Sequence, residues 1–137
     1  MKLSHKINKS AAFIFNHLTD TRKFVSVHPV IYKMEKLEEN KYKVFETLKF
    51  GFIPFSFTYF ATIHGDLKNQ RVVINATVMK INKIEMTFTL HAEENCTIVD
   101  EEIIFKSVLP VKRMMQSIFR KQHLQLFENI ENSKEKI

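Results

Sequence analysis

The feature that most constrains this chain is the strict alternation of apolar and polar residues over residues 84–91. The segment runs Ile, Glu, Met, Thr, Phe, Thr, Leu and His. A period of two directs successive side chains to opposite faces of a strand, so the segment predicts a strand with one buried face. Comparable stretches are separated by polar breaks at Asn40, Asn69, Asn82 and Asn95. The chain is therefore expected to form a run of antiparallel strands joined by short turns.

Two short helices are predicted near the N-terminus. After a first strand over residues 2–9, Ser10 is a suitable N-cap for a helix over residues 11–18. A Thr-Asp pair at residues 19–20 introduces a second short helix. This helix must end before the residue that precedes Pro29, because that position disfavours helical geometry.

A long helix is predicted at the other end of the chain. Its apolar residues follow the period of a helix from Pro110 to about Asn132, and proline is well tolerated in a first helical turn. The strands between the helices are predicted at residues 30–38, 41–50, 55–64, 71–80, 84–92 and 97–106.

Length and composition are those of an ordinary globular protein. The 137 residues predict one domain over residues 1–137, and 45% of them are apolar while 26% are charged. No apolar stretch reaches the 18 residues of a membrane span, and no apolar run follows the first basic residues as it would in a secretory signal. The single cysteine, Cys96, fits a reducing compartment. We expect a cytoplasmic protein.

The charge is unevenly distributed. The net charge is +6, and no acid occurs between Glu102 and Glu128. This stretch predicts either a solvated helix face or a weak attraction to an anionic membrane surface or anionic ligand. Nucleic-acid binding is not expected, because no recognition motif or interleaving of basic and exposed aromatic residues occurs. The basic residues in the stretch are Lys106, Lys112, Arg113, Arg120 and Lys121.

The alternation also predicts which side chains point inward. Thirteen Phe and six Met residues enrich these faces in side chains that fill a core or line an apolar pocket. Candidate ligand contacts on the strands are Glu46, Leu48, Phe55, Phe57, Tyr59, Ile74, Met86, Phe88, Glu101 and Ile103. Those on the final helix are Met115, Ile118 and Gln122.

Three polar residues fall on these apolar faces: Glu46, Glu101 and Gln122. A buried carboxylate is costly unless it is paired. One interpretation is that the assignment is shifted by one residue, or that these residues lie near strand ends. The other is that they anchor the polar part of a ligand inside a cavity, with the Tyr59 hydroxyl beside them.

The order of elements resembles the helix-grip fold of the START/Bet v 1-like superfamily, which includes polyketide cyclases and lipid-transfer proteins. Local sequence agrees at residues 17–20 (His-Leu-Thr-Asp), 100–105 (Asp-Glu-Glu-Ile-Ile-Phe) and 119–127, which follow a Leu-Pro pair at 109–110. The resemblance covers nearly the whole chain and is nearest to small bacterial polyketide cyclase/dehydrase-like members.

This resemblance implies an α+β fold in which a seven-stranded antiparallel sheet wraps around the long helix and encloses an apolar cavity. It also implies an entrance between the loops after the third and fifth strands and the start of the last helix. The loop at residues 50–55 is unusually apolar. It either folds over the core or forms a lip that meets an apolar ligand or a membrane.

Motifs for metal, phosphate or nucleophile chemistry are missing from the sequence. Six histidines lack a paired metal spacing, two isolated glycines cannot form a phosphate loop, and no Gly-x-Ser-x-Gly segment occurs. We therefore assign no catalytic residue, metal or cofactor, and we expect His91 to face solvent.

Three functions remain open at this point. The first is binding of a lipid or other hydrophobic small molecule between the sheet and the final helix. The second is a cyclase, dehydratase or isomerase that uses Glu46 or Glu101 as a base or acid with a shifted pKa. The third is a protein-interaction module with a collapsed cavity. The oligomeric state does not follow from the sequence.

Overall fold

The computed structural model describes residues 1–134, except for the side chain of Phe50. It contains one antiparallel sheet and three helices, with two short helices after the first strand and one long helix at the end. The predicted fold class is confirmed. The elements in chain order are β1 (Lys2–Ile7), α1 (Ala11–Thr19), α2 (Thr21–Val27), β2 (Ile31–Glu38), β3 (Lys41–Phe50), β4 (Ile53–Asp66), β5 (Arg71–Val78), β6 (Asn82–Ala92), β7 (Thr97–Ser107) and α3 (Lys112–Asn132).

The seven strands are ordered β1-β7-β6-β5-β4-β3-β2. Strands β2 to β7 follow one another as hairpins, and β1 pairs with β7, so the first and last strands lie side by side. The register sets Phe88 of β6 opposite Glu101 of β7, and Ile74 of β5 opposite Met86 of β6. These four side chains therefore share the inner face of the sheet.

The two N-terminal helices begin where the sequence places them. The Ser10 hydroxyl accepts a hydrogen bond from the Phe13 amide at 3.1 Å, and the Asp20 carboxylate accepts from the amides of Arg22 and Lys23 at 3.0 and 3.3 Å. Each cap satisfies backbone donors of a first helical turn that have no partner within the helix. Helix α2 ends at Val27, as the following proline requires.

Several boundaries differ from the predictions. Helix α3 begins at Lys112 rather than at Pro110. Strand β1 ends at Ile7 instead of residue 9, and β4 extends beyond residues 55–64 in both directions. Strand β5 ends at Val78 rather than at residue 80, because the next two residues adopt positive φ angles of 56° and 62°. Asn82 opens β6 rather than lying in the turn.

The alternation of faces is confirmed, and it places the core between the sheet and α3. Val44, Val72, Phe88 and Val99 are buried on the inner face of the sheet. From His123 onward, α3 contributes the buried residues Leu126, Phe127 and Ile130, whereas the half of the helix before His123 has no buried side chain. The space that side chains leave open therefore lies beneath the N-terminal half of α3.

No helix among residues 1–134 has the length and hydropathy needed to cross a membrane.

Candidate ligand-binding site

Three neighbouring spaces lie between α3 and the sheet. An inner cavity of about 40 Å³ is bounded by Ile74, Met86 and Phe88 of the sheet together with the middle of α3. An outer chamber of about 80 Å³ lies nearer the start of α3. An open cleft of about 580 Å³ separates the N-terminal half of α3 from Val30 and the end of β3. The inner cavity is large enough for ordered water, and the cleft falls in the size range of small-molecule sites.

Gln122 lines all three spaces. It lies on α3 where the half-exposed part of the helix meets the buried part. Its side-chain amide makes none of the hydrogen bonds found within residues 1–134, so it is available to a molecule in any of the three spaces. Ile118 and Leu48 line both the cleft and the outer chamber. These two apolar side chains and Gln122 therefore lie between the cleft and the outer chamber.

Glu46 and Tyr59 form a polar pair at the boundary of the two inner spaces. The Tyr59 hydroxyl donates to the Glu46 carboxylate at 2.9 Å, and both residues line the inner cavity and the outer chamber. Burial raises the pKa of Glu46, and the hydrogen bond from Tyr59 and the proximity of His123 oppose that rise only in part. Burial and the adjacent carboxylate also raise the pKa of Tyr59 well above its ordinary value.

Glu101 is held by two histidines. The Nδ1 atom of His123 on α3 contacts one carboxylate oxygen, and the Nε2 atom of His5 on β1 lies 3.4 Å from the other. All three side chains are buried, and the His5 ring stacks on Phe127 at 4.4 Å between centroids. Burial alone would raise the pKa of Glu101, but the hydrogen bonds from His123 and His5 outweigh it and hold the pKa below its usual value. Glu101 is therefore an ionised acceptor shared by β1 and α3.

These contacts fix the proton positions on His123. A carboxylate can only accept hydrogen bonds, so Nδ1 of His123 carries a proton. Among the described residues, no fully buried side-chain nitrogen lacks a partner. Nε2 of His123 bonds to no described protein group, and His123 is one of the residues that line the inner cavity.

His28 also lines the inner cavity, but its Nδ1 atom accepts hydrogen bonds, whereas Nδ1 of His123 donates one. The Nδ1 atom of His28 accepts from the backbone amides of Val30 and Ile31 at 3.2 and 3.1 Å, so the neutral ring carries its proton on Nε2. Burial, with a smaller contribution from the nearby His123, lowers the pKa of His28 to about 3. The inner cavity is thus lined by a fixed donor on His28 and a carboxyl group on Glu46.

Most of the predicted contact residues lie around these spaces. Ile74, Met86 and Phe88 line the inner cavity, and Leu48, Phe57, Met115 and Ile118 line the outer chamber. Glu46, Tyr59 and Gln122 line both. Ile103 is buried on the inner face of β7, but it lines none of the three spaces, and Glu101 contacts the two histidines instead.

Phe55 does not lie with the other predicted ligand contacts. It lies near the exposed start of β4, where its ring stacks on Phe57 at 5.5 Å, and it lines none of the three spaces. The apolar loop that precedes it does not fold over the core either. Phe52, at the tip of the β3–β4 turn, is 103% exposed, and Ile53 beside it is 72% exposed.

Sequence reasoning missed the buried histidines. It judged the histidines by metal-ligand spacing and assigned a direction to His91 alone, although His5 shares the inward parity of Ile7, and His123 lies four residues after Phe119 on the apolar side of α3. Those two regularities were enough to predict that His5 and His123 point inward.

No group of three or more His, Cys, Asp or Glu residues within residues 1–134 is arranged to hold a metal ion. His91 is exposed and pairs with Asp100 at 3.0 Å.

Comparison with known proteins places the fold. No protein-family model matches the chain, and no curated protein does. Solved structures do match over 95–96% of it. Ara h 8.0201 aligns with a TM-score of 0.76 at 15% identity and 93% coverage of its own chain. A START superfamily protein from Mycobacterium smegmatis aligns with a TM-score of 0.79 at 13% identity and 93% coverage of its own chain. The Zhui aromatase/cyclase from Streptomyces sp. R1128 aligns with a TM-score of 0.70 at 10% identity and 89% coverage of its own chain. The resemblance to the START/Bet v 1-like superfamily is thus confirmed at the level of the helix-grip fold.

Proposed function

We propose that this protein binds a lipid or another hydrophobic small molecule between α3 and the sheet. The observation that carries the proposal is that the open cleft, the outer chamber and the inner cavity lie side by side, share Gln122 and are lined largely by apolar side chains. Burial of a ligand's apolar surface in such a space supplies affinity at roughly 25 cal/mol per Å². Fixed polar groups then set its orientation.

The volumes favour the cleft as the position of the ligand. A small-molecule site usually occupies about 300–1,000 Å³. The cleft, at about 580 Å³, satisfies that requirement, whereas the two inner spaces hold about 40 and 80 Å³. The body of the ligand therefore occupies the cleft between Val30 and Ile118. Deeper entry requires the N-terminal half of α3 to move outward.

The start of α3 is weakly held, which favours such a movement. Its N-cap position is Val111, which provides no side-chain hydrogen bond, and its first turn contains no acid. Lys112 and Arg113 instead place positive charge at the positive end of the helix dipole, where it is unfavourable. The second half of α3 is anchored by the buried side chains from His123 to Ile130. A ligand can thus displace the first half without unpacking the second.

The polar end of the ligand is expected at Gln122 and the Glu46–Tyr59 pair. Gln122 lines every space and has no partner among the described hydrogen bonds, and Glu46 lines the inner cavity and the outer chamber with it. Glu101 is not expected to contact the ligand, because both of its oxygens already face histidine nitrogens.

A matched pair of tryptophan substitutions on α3 tests this proposal. Ile118→Trp adds bulk to both the cleft and the outer chamber, while Leu124→Trp adds the same bulk on the exposed side of the same helix. With the fluorescent fatty acid cis-parinaric acid as probe, the first variant should bind at least about tenfold more weakly than the parent, a loss of about 1.4 kcal/mol. The second should bind like the parent. Equal affinities for the two variants would refute the location of the site.

The Glu101–His123 contact favours acid–base catalysis as a second candidate function. A carboxylate that accepts from one imidazole nitrogen fixes the tautomer and the orientation of the ring, as in hydrolase triads. Here His123, rather than Glu101, would be the base, and Glu46, with its raised pKa, would be a second proton-transfer group. Carboxyl ¹³C NMR titration should place the pKa of Glu46 above and that of Glu101 below the ordinary value. An ordinary titration of Glu46 would remove this candidate.

A protein-interaction module with a collapsed interior is the function least favoured by the side-chain packing. Such a module needs no space between its sheet and its helix. The outer chamber and the cleft remain open in this fold, and apolar side chains such as Leu48 and Ile118 line them. These spaces favour a bound small molecule.

A further inference from the structure

The two ends of the sheet differ sharply in chemistry. Because β3 to β7 alternate in direction, the β3–β4 turn, the β5–β6 turn and the β7–α3 connection all lie at one end. We call their apolar side chains the apolar tip. It comprises Phe52, Ile53, Met79, Ile81, Val108, Leu109 and, in the first turn of α3, Met114, all of which are exposed. Val108 is 81% exposed and Met79 is 62% exposed.

Basic residues surround the apolar tip. They are Lys49, Lys80, Lys83, Lys106, Lys112 and Arg113, and all are exposed. The acid nearest to the β5–β6 turn along β6 is Glu85, and Lys83 separates it from that turn. Exposed apolar side chains that gather at one end of a sheet favour an interaction surface, whereas scattered apolar residues do not.

The opposite end of the sheet is polar and acidic. Its turns contain Glu38 and Glu39, Asp66, and Glu93 and Glu94, with Leu67 as an isolated exposed apolar residue. The contrast shows that the apolar tip is not a general property of the turns in this protein. It is confined to the end at which the cleft opens, since Lys49 and Met114 line that cleft.

The β5–β6 turn at the apolar tip has a left-handed backbone, as Gln70 with a φ of 49° has at the opposite end. Met79 and Lys80 both adopt left-handed φ angles, a conformation that favours Asn or Gly and costs other residues roughly 1 kcal/mol each. A Met and a Lys at these positions give the turn an exposed apolar side chain and a charge where Asn-Gly would have been less strained. Phe52 likewise projects from a tight turn that begins at Gly51, whose φ is +65°.

We propose that the apolar tip docks on the surface of a bilayer that contains anionic lipids. Its apolar side chains would enter the boundary between headgroups and acyl chains, and the surrounding lysines and arginine would face the anionic headgroups. A second copy of this chain is a poorer partner, because a contact between two tips would bring two basic rims together. Docking does not depend on the proposed ligand, but if that proposal holds, it places the mouth of the cleft at the membrane.

Vesicle co-sedimentation of the full chain tests the docking surface. Vesicles of phosphatidylcholine with phosphatidylglycerol should bind the protein at low salt, and vesicles of phosphatidylcholine alone should bind it far more weakly. Lys112→Glu at the tip should weaken binding at least about fivefold. A basic residue near an anionic membrane surface contributes about 1 kcal/mol to binding, which corresponds to that factor. The control Lys68→Glu makes the same charge change in the β4–β5 turn at the opposite end and should have little effect.

A second variant pair separates apolar insertion from charge. Phe52→Ser should weaken binding at the same salt concentration, whereas Phe60→Ser, which removes a 52% exposed phenylalanine from β4, should not. Circular dichroism should show that both variants remain folded.

Absence of binding to anionic vesicles would overturn the proposal, as would equal losses of binding within either variant pair. A dimer detected by analytical ultracentrifugation that Phe52→Ser abolishes, without vesicle binding, would assign the surface to self-association instead. Because the vesicle assays measure attachment to a bilayer and not occupancy of the cleft, their failure would leave the cis-parinaric acid result unaffected.

Discussion

The imidazole of His123 contacts the carboxylate of Glu101 across the gap between α3 and β7. The two residues are 22 positions apart, and both side chains are buried. With His5 on β1 as the third member, this cluster joins the final helix to the edge of the sheet where the first and last strands pair. It therefore anchors the part of α3 beyond the candidate site and leaves the first half of the helix free to respond to a ligand.

Removal of this anchor should destabilise the protein substantially. Glu101→Leu leaves two buried N–H donors without an acceptor, and each loss costs about 1–3 kcal/mol. We expect the free energy of unfolding, measured by urea denaturation, to fall by about 3 kcal/mol. The neighbouring Glu102 is exposed on the other face of β7, so Glu102→Leu should change it by less than about 0.5 kcal/mol. Similar losses in the two variants would show that the histidine contacts contribute little.

His28 should make stability depend on pH. Its pKa of about 3 in the folded protein lies below the unfolded value of 6.5, so its contribution to stability is complete above pH 6.5 and is lost as the pH falls toward 3. In that range the unfolded state binds one more proton at this site, which corresponds to a slope of at most about 1.4 kcal/mol per pH unit.

The variant His28→Asn tests this assignment, because the asparagine carbonyl can still accept from the amides of Val30 and Ile31. Urea midpoints of the two proteins should differ by a constant amount above pH 6.5, and the parent should lose stability relative to the variant as the pH falls below it. Parallel pH profiles throughout would mean that His28 protonates as freely in the folded state as in the unfolded state.

Glu46 should have the opposite effect on stability. Since its pKa is raised above 4.5, the fold favours the neutral carboxyl group, and this contribution is complete below pH 4.5 and is lost as the pH rises through the folded value. Glu46→Gln should therefore unfold at higher urea concentration than the parent at pH 7, because the amide carbonyl can still accept from Tyr59 without a buried charge. The difference should disappear below pH 4.5. A less stable variant at pH 7 would show that the ionised carboxylate is stabilised at this position.

Lys112 should show that stability and docking are separate properties. Lys112→Glu replaces an unfavourable charge in the first turn of α3 with a favourable one, which should stabilise the protein by about 0.3–1 kcal/mol. The same substitution should weaken vesicle binding. Thermal unfolding followed by circular dichroism measures the first effect. A variant that is less stable and binds vesicles less well would attribute its loss of binding to unfolding rather than to the missing charge.

Much of the fold was predictable because one face of each strand is buried. The alternation along β5, β6 and β7 placed Glu101 inward, and the same regularity in β3 placed Glu46 inward. Helix starts followed from Ser10 and Asp20, whose side chains cap the backbone locally. The first residue of α3 was misplaced by two positions because no comparable cap marks it.

The site itself was only partly predictable. The pairing of Glu101 with His5 joins residues 96 positions apart, and nothing in local sequence specifies such a partner. The volumes of the cleft and chambers depend on how side chains such as Met115 and Phe119 pack to within an ångström, and periodicity carries no information at that scale. The exposed position of Phe52 was likewise one of two outcomes that the apolar loop allowed.

The most direct test of the central proposal is native mass spectrometry of the full chain purified from its own cells, followed by denaturing extraction of any released molecule. We predict a stoichiometric hydrophobic adduct on the parent and on Leu124→Trp, and its loss from Ile118→Trp. The ligand-free mass alone for the parent, together with no binding of cis-parinaric acid, would contradict the proposal that the space between α3 and the sheet is a ligand site.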